Sequence, residues 1–170
     1  MAGSTLNLLR RIQKWPAGLW IFSRLVCLKA PYFASIRPVF IRLEPGCARA
    51  RIKKRRAVTN HLGTVHAIAM ANLCEFVGGI LMDISINPEM RWIPRGMNIR
   101  YLALAKTSLT AECKIENWDW CEPQDVLLKV TVSDESGNIV SVAEIPMYIS
   151  RRPPLKKNHV PDSGVDSKKT

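Results

Sequence analysis

An α+β domain is the fold class the sequence predicts: one long apolar helix wrapped by a curved antiparallel sheet, with a helical extension ahead of it. Three observations carry this. "VHAIAMANLCEFVGGILM", residues 65–82, is almost unbroken in apolar and small residues and too long for a strand, so it reads as a buried helix. The last third of the chain alternates apolar and polar residues in "SLTAECKI", "DVLLKVTVSDE" and "IVSVAEIPMYIS", the period of half-buried strands. The strand signals gather on either side of this one helix, two before it and about four after it, an α+β arrangement. A helix this apolar has to be covered on most sides, and one curved sheet does that.

In order along the chain, residues 5–30 read as helical, in two pieces divided near Pro16. Trp15, Trp20, Phe22 and Leu25 are the expected packing residues of this extension, residues 1–35. A strand follows at 39–44, and "PG" (Pro45, Gly46) turns the chain. "CARARIKKRR" places Ala48, Ala50 and Ile52 on one face and basic residues on the other, as a half-buried strand would. Thr64 is the expected N-cap of the long helix. "INPEMRWIPRG" reads as a loop and the approach to a strand, and "GMNIRYLAL" as a strand. The three alternating segments complete a domain over residues 36–150, about four strands following the helix, with "SGN" turning the last two. Beyond Ser150, "RRPPLKKNHVPDSGVDSKKT" is Pro-rich, charged and aperiodic, so 151–170 is expected to be a disordered basic tail.

The 170 residues suit one domain, and 47% hydrophobic content supports a sizeable core. Lys+Arg number 25 against 14 Asp+Glu, a net charge of +11, and no acidic residue precedes Glu44. The basic, acid-free start reads either as a folded helix on the domain or as a mitochondrial transit segment. The expected location is cytoplasmic in the first case and mitochondrial in the second. Five cysteines without a C-x-x-C pair argue against a disulfide framework and a zinc site, and no cofactor is expected. Arg24 and Lys29, then His66 and Glu75, interrupt the apolar runs, so no transmembrane segment is expected.

Glu75 is the residue that asks for chemistry. A carboxylate in an apolar setting is costly unless paired, and burial raises its pKa toward that of a working acid or base. The alternative is an exposed stripe or a basic partner. Nine residues separate His66 from Glu75, roughly 13 Å of rise and about half a revolution in a regular helix. Glu75 therefore cannot meet its own helix start, where unpaired N–H groups and the dipole stabilise an oxyanion. If they form one site, a two-fold dimer has to assemble it.

Asn60, Gly63, His66 and then Glu75 stand at fixed spacing in "NHLGTVHAIAMANLCE". This resembles the "N-x-x-G-x-x-H-G-G-x…-D/E" signature of hotdog-fold acyl-CoA thioesterases of the phenylacetate-pathway type. It is closest to a subfamily catalogued as a domain of unknown function, in which "NHL…VHAIA" replaces the usual form and an N-terminal helical extension is common. "GMNIRYLALAKTSLTAECKI" also looks like the family's strand pair, and the resemblance covers residues 38–150. It implies a hotdog fold, a homodimer or homotetramer, and hydrolysis of an acyl-CoA or similar thioester. It implies that Glu75 is the general base or nucleophile, that Asn60 holds the water or carbonyl, that the Ala67 amide is the oxyanion donor, and that His66 fixes the helix start. "HAI" replaces "H-G-G" here. Ala67 keeps its amide, but its methyl and the bulk of Ile68 narrow the approach, so a non-catalytic acyl-CoA or acyl-carrier binding protein on the same fold is the alternative.

Gly63 and His61 stand at the same loop, His61 either as a plain loop residue or as part of the substrate approach. Cys74 adjoins Glu75 and is expected to pack as a small hydrophobe rather than act as a nucleophile. Asn72 is either a buried hydrogen-bonding residue or faces a dimer partner. The basic run Arg49–Arg56 is a solvated face, or a site in which Arg55 and Arg56 hold coenzyme A phosphates, or a nucleic-acid surface. The last would need interleaved aromatic residues, and the run has none, so no nucleic-acid partner is expected. Trp118 and Trp120, further on, sit among acids.

Overall fold

Residues 2–116 and 120–153 are described by the computed structural model. Two helices open the chain, α1 (Ala2–Ile12) and α2 (Gly18–Lys29), and the break between them brackets Pro16 as expected. Strands β1 (Val39–Glu44) and β2 (Cys47–Ile52) form a hairpin closed through Gly46, whose φ of 82° is a conformation few other residues accept. The long helix α3 (Ala67–Ser85) follows. The sheet is then completed by β3 (Met90–Pro94), β4 (Asn98–Tyr101), β5 (Leu109–Lys114), β6 (Gln124–Ser133) and β7 (Ile139–Arg151). All the pairings are antiparallel, in the order β1-β2-β5-β6-β7-β3, with β4 also on β7.

The sheet wraps α3. Ala48, Ala50 and Ile52 of β2 are fully buried, as are Ala111, Val130, Val132 and Ala143 further across, and they meet Leu73, Phe76, Val77 and Leu81 of the helix in one core. Gly78 lets the helix approach closely: a Cβ there would lie 3.3 Å from Ile145 and 3.4 Å from Leu128. By length and composition α3 is apolar enough to cross a bilayer, but here it is the core helix of the sheet.

Four expectations need correction. Thr64 is not the N-cap, because its hydroxyl is taken by Asn60; His66 caps α3, its Nδ1 accepting from the Ile68 amide at 3.1 Å. Residues 90–94 are a strand, β3, so five strands and not four follow the helix. The strand expected over "GMNIRYLAL" ends at Tyr101, since Leu102 and Ala103 both turn their amides to the Val140 carbonyl. In the extension, Phe22 is buried, but Trp15 and Trp20 are 64% and 53% exposed and Leu25 lies open to a cavity. The expected tail continues β7 to Arg151, and its residues 154–170 lie outside the described residues, as does Trp118. Trp120 is buried.

The helical extension lies on the domain rather than apart from it. α1 packs along α3, and α2 packs against β1. The Ser23 hydroxyl takes the Phe40 amide at 2.9 Å, and Phe40 stacks on Phe76 of α3 while Phe22 of α2 meets it tilted, which links α2 through β1 to α3.

Candidate active site

The loop before α3 is built by Asn60. Its Oδ1 accepts from the Leu62 and Thr64 amides at 3.0 and 3.1 Å, and its Nδ2 donates to the Thr64 hydroxyl at 2.9 Å. The tight turn this makes needs a positive φ at Gly63 (72°), where a Cβ would touch nothing. Gly63 is therefore required by the backbone, whatever approaches it. The loop closes on itself through a bridge between Thr59 and Val65 and through the His66 amide on the Val58 carbonyl at 2.8 Å. His61 is exposed on it.

These contacts present the start of α3 in a fixed position. His66 takes the Ile68 amide, and among the described residues nothing accepts from the Ala67 amide. The Tyr101 hydroxyl of β4 donates to the Ala67 carbonyl at 3.2 Å, which ties the helix start to the sheet edge. Around it Leu62, Ile68, Leu102 and Leu104 are more than half exposed.

Glu75 is elsewhere. The burial argued for it from composition is not found: among its neighbours in α3, from Leu73 to Met82, it alone is exposed. Residues 75, 79 and 83 share one face of the helix, on which Trp92 of β3 covers Gly79 while Glu75 stays exposed. That face forms one wall of a cavity of about 1110 Å³ whose other walls are α1, α2 and β3. Apolar side chains dominate the lining, among them Leu8, Phe22, Leu25, Val26, Ile80 and Trp92. Its charged members are Glu75, Asp83, Arg11, Lys29, Arg91 and Arg152. Trp92 donates its indole N–H to Asp83 at 2.9 Å, and its ring lies 3.3 Å from where a Gly79 Cβ would stand.

The structure thus brings Arg55, Arg56, Asn60, His61, Gly63, His66 and Ala67 onto one loop and helix start, and Glu75 into a separate cavity. Asn72 is buried, its amide reaching the Ser35 hydroxyl at 3.3 Å, while its carbonyl oxygen has no partner among the described residues. Cys74 is fully buried, and burial pushes its thiol up to about 12, with Cys113 adding to the shift.

The basic run is largely occupied. Arg49 pairs with Glu112 at 2.9 Å, Arg51 with Glu135, and the Lys54 ammonium donates to the Lys106 carbonyl. Arg55 donates to the Ser35 carbonyl, and its guanidinium is pressed below its ordinary pKa by burial and then by Arg37. Among the described residues no group of three or more His, Cys, Asp or Glu side chains could hold a metal ion.

Asp83, Trp92, Tyr101 and the α1–α2 wall are site features the sequence reading missed. Only Asp83 left a signal, a second carboxylate eight residues after Glu75 on the same helical face.

A central helix wrapped by one antiparallel sheet, with a capped loop at the helix start, is the hotdog fold. The family model described as "Domain of unknown function (DUF4442)" matches residues 18–149, and the chain belongs to that family. A structural-genomics crystal structure, whose description names no function, is 38% identical over 88% of this chain and 99% of its own, with a TM-score of 0.76. A Pseudomonas aeruginosa protein of unknown function, described as a probable thioesterase, is 22% identical over 81% of this chain and 97% of its own, with a TM-score of 0.72. A Haemophilus influenzae thioesterase is 12% identical over 75% of this chain and 86% of its own, with a TM-score of 0.62. At these identities the last two speak to the fold alone. No curated protein sequence matches the chain.

Proposed function

We propose that this protein hydrolyses an acyl-CoA or related thioester, and that it does so as a dimer. The observation that carries the reading is Glu75: a carboxylate open to a large apolar cavity on a helix otherwise enclosed by its sheet. Several solved neighbours are described as thioesterases or esterases, which agrees with it.

In this reading the Glu75 carboxylate takes a proton from water, and the hydroxide adds to the thioester carbonyl carbon. The oxyanion that forms is held by an amide at a helix start. Collapse of the tetrahedral intermediate breaks the C–S bond, the thiolate takes the proton back from Glu75, and free acid and thiol leave. In the variant path Glu75 attacks the carbonyl itself and expels the thiolate; water then cleaves the mixed anhydride, which returns the Glu75 carboxylate, releases the acid and supplies the thiolate's proton.

Ala67 lies eight residues before Glu75, about 12 Å along α3, so the oxyanion donor is the partner's Ala67. The apolar surface at Leu62, Ile68, Leu102 and Leu104 is the face on which a second copy rests. Asn60 and His66 shape that helix start, and Gly63 supplies its turn. His61, Arg55 and Arg56 flank the carrier's approach, where an anionic phosphate relieves the repulsion between Arg37 and Arg55. One observation favours the rival reading of acyl binding without turnover: Ile68 stands 56% exposed beside the Ala67 amide.

Thiol release from short-, medium- and long-chain acyl-CoAs decides between them, wild type beside Glu75→Gln. Hydrolysis that falls at least about 100-fold in the variant establishes the enzyme. Binding without release from any ester establishes the binding protein.

A further inference from the structure

The α1–α2 wall has no role in the chemistry above, yet it turns the open face of α3 into a deep, half-open groove. Leu8 of α1 and Leu25 of α2 both line the cavity, and they remain 40% and 38% exposed because none of the described residues fills it. Opposite them, Gly79 contributes no side chain and lets the Trp92 ring lie against the helix, so the floor over the eight residues from Glu75 to Asp83, about 12 Å, is formed by that ring and Ile80. The volume of about 1110 Å³ exceeds the roughly 300–1,000 Å³ of ordinary small-molecule pockets. Three of the charged groups in the lining already have partners: Asp83 accepts from Trp92, Arg91 donates to Ser150, and Arg152 to the Met90 carbonyl. The apolar wall therefore defines the occupant.

We propose that the α1–α2 hairpin roofs a channel for the acyl chain, that the substrates are thioesters of long unbranched acids, and that Leu8 and Leu25 set the accepted length. The proposal rests on the thioesterase reading for its reacting end, since the chain runs from a thioester at Glu75 over the Trp92 ring, between it and the leucines of α1 and α2. Each methylene buried in such a channel deepens binding by about fourfold.

The test is a series of butyryl, octanoyl, lauroyl and palmitoyl groups on coenzyme A, as non-hydrolysable thioethers for calorimetry and as thioesters for turnover. The variants are Leu8→Trp and Leu25→Trp, which put an indole into the channel from two different helices. Leu28→Trp is the control, on α2 but 78% exposed and outside the lining. Circular dichroism and Tm confirm that each folds. The wild type is expected to bind more tightly with each added length. The palmitoyl-to-butyryl affinity ratio falls more than about tenfold in both channel variants, the loss of some two methylenes' burial, and holds in Leu28→Trp. Affinity independent of chain length, or a ratio unmoved by both channel variants, overturns the proposal. The two readings fail separately: length-dependent thioether binding with no thioester hydrolysed leaves the channel standing and removes the enzyme. Hydrolysis with no length preference does the reverse.

Discussion

Glu75, Ala67 and Cys74 lie within nine positions of one another and are expected to behave quite differently. Glu75→Gln is expected to remove turnover while leaving Tm nearly unchanged, because an exposed substitution shifts stability by no more than about 0.5 kcal/mol. Ala67→Pro is the matching change at the oxyanion end. Proline is well tolerated at the first helical position but has no N–H, so α3 persists and turnover is expected to fall about 100- to 1,000-fold. Mixing the two inactive variants is expected to regenerate activity, since a heterodimer holds one intact Glu75 facing one intact amide; a mixture that stays inactive denies the shared site. Cys74→Ala is expected to keep turnover. Burial pushes the Cys74 and Cys113 thiols from 9.0 to about 12, so the unfolded chain ionises first. Their contribution to stability is present below pH 9 and lost as pH climbs toward 12, which Tm measured across that range in wild type and in Cys74→Ala will show. Glu75 itself was legible by residue type but not by burial. A glycine at 79 counts as apolar in a hydrophobic pattern, yet it is what admits the Trp92 ring onto the face that Glu75 shares with Asp83.

At the scale of elements, the α1–α2 turn depends on one atom's absence. A Cβ on Gly18 would stand 2.2 Å from the Ile12 carbonyl oxygen. Alanine in place of helical glycine normally gains about 1 kcal/mol, but a backbone clash this close outweighs that. Gly18→Ala is expected to lower stability by about 1–3 kcal/mol, read by chemical denaturation, and to shift the hairpin on α3. Most elements were legible because half-buried strands announce themselves by alternation: β2, β5, β6 and β7 each bury every second residue over part of their length. β3 escaped because only Met90 of its five residues is buried and Pro94 ends it. The helix start was misplaced by two residues because Thr64 and His66 are both competent caps, and Asn60's claim on the threonine hydroxyl is a tertiary fact that no local pattern carries.

For the whole molecule, the decisive question is the partner. β4 pairs with β7 on one side, and among the described residues no strand pairs with its other side. An unpaired edge beside exposed leucines is an open template for a second copy. If the proposed dimer forms on this face, Leu104→Asp shifts it to monomer in sedimentation and, with it, abolishes turnover while far-UV dichroism stays native. One further consequence lies in the order of synthesis. α1 is made first, yet the helix it packs on begins only after residues 13–66 have followed, roughly 3 to 11 seconds later at about 5–20 residues per second. Throughout that interval a basic, acid-free amphipathic segment has no α3 to cover its apolar side, and an anionic membrane surface or a chaperone competes for it. Docking on α3 ends the competition, so the time at which the nascent chain reaches its central helix decides how long its first helix can be read by anything else.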